Sequence, residues 1–83
     1  MYFVYILQSA KDNSFYIGYT SNIEERLWEH NEGRTRFAKY KRPWNLIYKE
    51  IYQVKTVALK REKYLKSLKN KRYLAKIIGL QGL

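Results

Sequence analysis

Two short runs of aromatic and β-branched residues, YFVYILQ (Tyr2–Gln8) and FYIGY (Phe15–Tyr19), flank the turn-forming stretch SAKDNS. Both runs are too short for a typical helix and carry the residue types that suit a pleated, half-buried surface. Asp12 and Asn13 can bond their own backbone or take a left-handed conformation, so the two runs read as an antiparallel hairpin with a longer loop. Gly18 interrupts the second strand between Tyr16 and Tyr19. A glycine inside a strand costs conformational entropy and packing area, which calls for a bulge, a tight contact or the close approach of something to the backbone.

The remaining segments cover such a hairpin. Ser21-Asn22-Ile23-Glu24 fits a capping box, so a helix is expected from there to about Asn31, with Gly33 as its stop. Ile23 and Leu27 form its apolar seam, and Arg26 and His30, four apart, share an adjoining strip. Residues 32–44 read as an exposed loop. Its basic residues Arg34, Arg36, Lys39, Lys41 and Arg42 interleave with Phe37, Tyr40 and Trp44. Two readings stand for that mixture: contact with a nucleic-acid backbone and its bases, or aromatic side chains tucked into the core. Residues 45–52 read as a third strand. Thr56 is the expected cap of a helix over Val57–Leu68, with Val57, Tyr64, Leu65 and Leu68 on one face and Glu62 off its centre. A last helix over Asn70–Ile78 presents Tyr73, Leu74, Ile77 and Ile78 and stops at Gly79. The fold expected is α+β: a three-stranded antiparallel sheet flanked by helices, in the order β-β-α-β-α-α, forming a single domain over residues 1–83.

Charge narrows the function. Residues 1–33 carry two cations and five anions, net −3, whereas residues 34–83 carry fifteen cations and two anions, net +13. So basic a second half calls for a polyanion, with nucleic acid the expected partner. A membrane is not expected, because the amphipathic helices are needed for the core. There is no cysteine, hence no disulfide framework or thiolate metal site, and the cytoplasm is the expected compartment.

Five polar residues sit oddly: Tyr5 and Tyr16 on the paired strands, Arg26 and His30 on one helix edge, and Glu62 alone among Lys60, Arg61, Lys63, Lys66 and Lys69. Each has a plain reading by itself, such as a packed tyrosine or a Glu62–Lys66 pair at i,i+4. Together they suit phosphodiester hydrolysis. A carboxylate can hold one hard divalent cation, an arginine can grip phosphate, and a tyrosine or imidazole can deprotonate water, the tyrosine with a lowered pKa.

The segments FVYIL, YIGYT, ERLWEH and ALKREKYL resemble the GIY-YIG nuclease superfamily, in particular its small standalone members, over about Tyr2–Ile78. Tyr16-Ile17-Gly18 keeps the second motif. Phe3-Val4-Tyr5 stands where the first would be and keeps its tyrosine. The resemblance implies a metal-dependent endonuclease acting on DNA, with structure-selective repair or recombination as one context. It also implies catalytic roles for Tyr5, Tyr16, Arg26, His30 and Glu62. Glu62 would hold a single Mg²⁺ or Mn²⁺, and Gly18 would allow close approach beside the site. The family's asparagine has Asn70 as its candidate. The alternative is a non-catalytic nucleic-acid-binding protein on the same scaffold.

Overall fold

The computed structural model describes residues 1–34, 36–68 and 71–79. The expected order is observed: β1 (Tyr2–Ser9), β2 (Phe15–Thr20), α1 (Ile23–Asn31), β3 (Trp44–Tyr52), α3 (Lys55–Ser67) and α4 (Lys71–Gly79), with a four-residue helix, α2 (Arg36–Lys39), in the connection to β3. The three strands form an antiparallel sheet in the order β2-β1-β3, so β1 is central and the YIG strand is an edge.

Strand alternation divides the core in two. Val4 and Ile6 face one way and pack with Tyr48, Ala58 of α3, Leu65 of α3 and Leu74 of α4. Tyr5 and Leu7 face the other way and pack with Ala38 and Trp44, joined by Tyr16 and by Ile23 and Leu27 of α1. Strict alternation would put Trp44 and Leu46 on the same side as Tyr48, Glu50 and Tyr52. A bulge intervenes: Ile6 pairs with Tyr48 but Leu7 pairs with Leu46. Ile47 is the extra residue, and it transfers Leu46 and Trp44 to the α1 side.

Three local expectations are corrected. The cap of α1 is Asn22, one residue beyond Ser21: its side-chain oxygen accepts the Glu25 N–H at 3.1 Å, which shifts the Ser/Asn-x-x-Glu pattern by one. The cap position of α3 is Val54, with no side-chain cap bond, so Thr56 lies inside the helix. The buried face of α3 is Ala58 and Leu65, while Val57 and Tyr64 are about half exposed, as is Tyr73 of α4. Of the four residues expected on that face only Leu65 is fully buried, and Ala58, which was not among them, lies with it against the sheet.

The 32–44 segment is not simply an exposed loop. Ala38 and Trp44 are fully buried, and the Trp44 indole N–H donates to the Ala38 carbonyl at 3.0 Å. Asn31 fastens this segment to the end of α1. Its side chain accepts the Trp44 N–H at 2.7 Å and donates to the Trp44 carbonyl at 3.2 Å. Of the interleaved aromatics, Trp44 follows the core reading, whereas Tyr40 is largely exposed.

Asn31→Ala removes both bonds and strands a Trp44 N–H. A destabilisation of about 2 kcal/mol is expected in urea unfolding, with a red shift of the Trp44 contribution to the native fluorescence.

Candidate active site

Tyr5 on central β1 pairs with Gly18 on edge strand β2. A Cβ built on Gly18 would stand 2.5 Å from the Tyr5 hydroxyl oxygen and 2.7 Å from its Cζ. The Tyr5 ring therefore crosses the edge strand in the space that a side chain at 18 would fill. Gly18, expected to make room for a substrate, makes room for this phenol instead, and its face of the strand is already covered.

The crossing carries the Tyr5 hydroxyl to the sheet edge, where α1 meets it. Arg26 Nε donates to the Tyr5 oxygen at 3.4 Å, and His30 Nε2 lies 3.5 Å from the same oxygen. Tyr16, two residues before Gly18, packs its ring edge-on against His30 at 4.4 Å between centroids and stacks at 6.4 Å from Tyr5. Trp44 closes the back of this cluster, 6.3 Å from His30 and 6.1 Å from Tyr16. Tyr5, Tyr16, Arg26 and His30 thus converge at one place. The free side of Arg26 opens on a cleft of about 310 Å³ lined also by Tyr19, Thr20, Asn22, Glu25 and Glu29.

Glu62 approaches from the opposite face of the sheet. Arg61 is turned toward β3, where it meets Glu50 through Nε to Oε1 at 3.0 Å and Nη2 to Oε2 at 3.0 Å. Glu62, one residue on and about 100° around the helix, is directed away from β3. Its side chain is mostly covered, and its carboxylate is close enough for its charge to raise the Tyr5 phenol. It is paired with Lys66 Nζ at 3.3 Å.

The electrostatics correct one expectation. Tyr5 is not lowered: burial pushes its phenol up to about 12, against the lowering bond from Arg26, with Tyr16 and Glu62 adding to the rise. His30 is fully buried, and burial first and the Arg26 cation second hold it below its ordinary value, so its ring is neutral at neutral pH. Its Nδ1 is buried without a partner. Arg26 is raised, chiefly by its bond to Tyr5. Arg26 also makes a long contact with Glu29 at 3.8 Å.

The basic residues of the 34–42 segment have varied settings. Arg34 lies over the exposed Trp28 ring at 4.8 Å, and Lys39 lies 5.7 Å from the Tyr40 ring. Lys41 reaches the β1–β2 turn, 3.4 Å from Asp12 and 3.3 Å from Ser14. Arg42 folds back on the carbonyls of Lys39 at 2.9 Å and Asn31 at 3.5 Å. The Arg36 side chain and all of Asn70 lie outside the described residues.

The role of Glu50 escaped the sequence reading. Glu50 accepts from both Arg61 nitrogens and from the Tyr48 and Tyr52 hydroxyls. Burial works to raise this carboxyl, but Arg61 and the two phenols outweigh it and hold it below the ordinary value. The signal available was Tyr48-x-Glu50-x-Tyr52, which strand alternation places on one face.

Comparison with known proteins assigns the family. Residues 1–75 match the family model described as the GIY-YIG catalytic domain. The chain belongs to the GIY-YIG family. Among its relatives, a UPF0213 protein of Staphylococcus haemolyticus is 39% identical over 77 residues, spanning 92% of this chain and 93% of that one. One of Staphylococcus saprophyticus is 38% identical over 74 residues, spanning 88% and 89%. The solution NMR structure of a UPF0213 protein of Bacillus halodurans superposes with a TM-score of 0.63 at 34% identity, covering 99% of this chain and 87% of that one.

Gly18→Ala tests the crossing. The added methyl must push the Tyr5 ring aside, so a loss of about 1–3 kcal/mol is expected in urea. The fold keeps this phenol neutral. The stability it contributes is therefore intact below its ordinary value of 10 and drains as pH rises toward about 12. In alkaline titration followed at 295 nm, Tyr5→Phe removes one late-ionising phenol, and Gly18→Ala moves that phenol back toward 10.

Proposed function

We propose that this protein is a divalent-cation-dependent endonuclease that hydrolyses DNA phosphodiester bonds. The observation that supports this reading best is the chain Arg26 Nε, Tyr5 hydroxyl, His30 Nε2 at the open edge of β2, with the Glu62 charge reaching the same hydroxyl. Each of these residues occurs within a GIY-YIG match.

The metal donors fit a cation that needs few protein ligands. Among the described residues no group of three or more His, Cys, Asp or Glu could hold a metal, so Glu62 would be the protein's carboxylate donor. Mg²⁺ accepts such a site, because it keeps most of its waters and takes phosphate oxygens from the substrate. When bound, it would supply Lewis-acid polarisation of the phosphate.

The protein's own residues supply the rest. Arg26 spends Nε on Tyr5 and directs its terminal nitrogens to the cleft, where they bind the scissile phosphate and the charge that grows on it. A phenol with a pKa of about 12 is a poor standing base. It works as a relay: its oxygen takes a proton from the attacking water as its own proton passes to neutral His30 Nε2. The water oxygen bonds to phosphorus, the bond to the leaving oxygen breaks, and that oxygen takes up a proton. His30 is thus the acceptor and Tyr5 the conduit. Tyr16 buttresses the imidazole and acts on Arg26. The exposed cations Arg34 and Lys39 would hold flanking phosphates, with affinity that falls steeply with salt. Branched or nicked DNA is the substrate class to examine first, as expected of a repair or recombination nuclease.

Purified protein is incubated with branched, nicked and single-stranded DNA, with Mg²⁺ or Mn²⁺ or with chelator. Cation-dependent cutting is expected, reduced about 10²-fold or more in Glu62→Gln and Arg26→Ala. DNA binding that persists without any cutting would favour the non-catalytic alternative. The rate should also fall on the acid side with an apparent pKa below 6.5, the ordinary value for His30, because protonation removes the acceptor.

A further inference from the structure

Helix α3 points one ammonium at the Glu62 carboxylate. Lys66 Nζ stands 3.3 Å from Oε2, one turn along. The two partners are unequally placed: the Glu62 side chain is 18% exposed and the Lys66 side chain 53%. The carboxylate is recessed, and the ammonium reaches it from the solvent side. The other cations of α3 are directed elsewhere. Arg61 is taken by Glu50 across on β3, and Lys60 and Lys63 are exposed and make no ion pair among the described residues.

We propose that Lys66 is a substrate-binding residue of this site, held on Glu62 in the cation-free protein and released to a substrate phosphate when a divalent cation takes the carboxylate. The inference rests on the nuclease reading and adds a residue and an exchange to it. An ammonium and a hard divalent cation compete for the same oxygens, and a double positive charge at contact distance repels the ammonium. The ion pair gives way readily, since its ammonium is half exposed and a pair of this kind on a helix surface is weak. Rooted one turn from Glu62, the displaced side chain stays within reach of an anion beside the cation, and the phosphate of a bound strand is that anion. In the cation-free protein the same pair holds Lys66 back from nucleic acid. Cation binding and nucleic-acid binding are thereby coupled through one side chain.

Mn²⁺ affinity is measured on the full chain without DNA, from the EPR signal of free Mn²⁺. Lys66→Met is expected to tighten binding about three- to tenfold by removing the competing charge, while Lys60→Met, the same charge loss on the outward side of α3, changes it less than about twofold. Affinity for a labelled nicked duplex is then measured with Ca²⁺ or with chelator. Lys66→Met should weaken binding severalfold and lower the salt slope by about one only when Ca²⁺ is present. Equal Mn²⁺ shifts in the two lysine variants would overturn the inference, as would a loss of DNA affinity that is the same with chelator. Mn²⁺ binding that survives Glu62→Gln would instead sink the metal assignment of the nuclease reading, and this inference with it. If Glu62→Gln abolishes Mn²⁺ binding and Lys66→Met leaves it unchanged, the inference alone fails.

Discussion

The packing of the Tyr5 ring over Gly18 is the contact on which the rest of the site depends. A tyrosine on a central strand would ordinarily end in the core between sheet and helix. Here the missing Cβ on the neighbouring strand lets the ring lie across it, and the hydroxyl emerges at the sheet edge. That edge is where residues from both faces can meet: Arg26 and His30 from α1 on one side, Glu62 from α3 on the other. The same burial keeps the phenol protonated well above neutral pH.

A second constraint fixes α3. The helix is strongly basic, lacks a side-chain cap, and buries only Ala58 and Leu65 fully. So slender a hydrophobic contact sets its distance from the sheet better than its rotation about its own axis. The bidentate Arg61–Glu50 bond, with Tyr48 and Tyr52 filling the remaining carboxylate sites, supplies the rotation. Because Glu62 follows Arg61, the orientation of one determines the direction of the other. The clamp is structural in composition, and Glu62, next along the helix, is paired with Lys66.

Much of this was legible in the residues. The β-rich runs, the helix following the second strand and the Arg26/His30 spacing all carry strong local signals, and the structure reproduces them. The misreadings were local too, and each has a competing physical cause. Ser21 and Asn22 are both good caps, and chain geometry after β2 selected Asn22. On α3 the hydrophobic pattern favoured a face with Val57 and Tyr64, whereas packing on the sheet turned Ala58 and Leu65 inward. In the 32–44 segment polar composition outweighed two residues, Ala38 and Trp44, that anchor it in the core.

By itself the sequence determined the element order and the pairing of the first two strands, because these follow from periodicity and turn composition, and it singled out five residues whose types suit phosphate chemistry and whose roles the family resemblance implies. Only the tertiary structure decided what those residues do to one another. The bulge at Ile47 reverses the facing of Trp44 and seats it behind His30, an event invisible to simple alternation. Burial overrides the Arg26 charge at Tyr5, a balance of desolvation against attraction that depends on depth in the fold. The glycine whose place in a strand seemed to invite a ligand is covered by the protein's own phenol, because register brings residues 5 and 18 side by side.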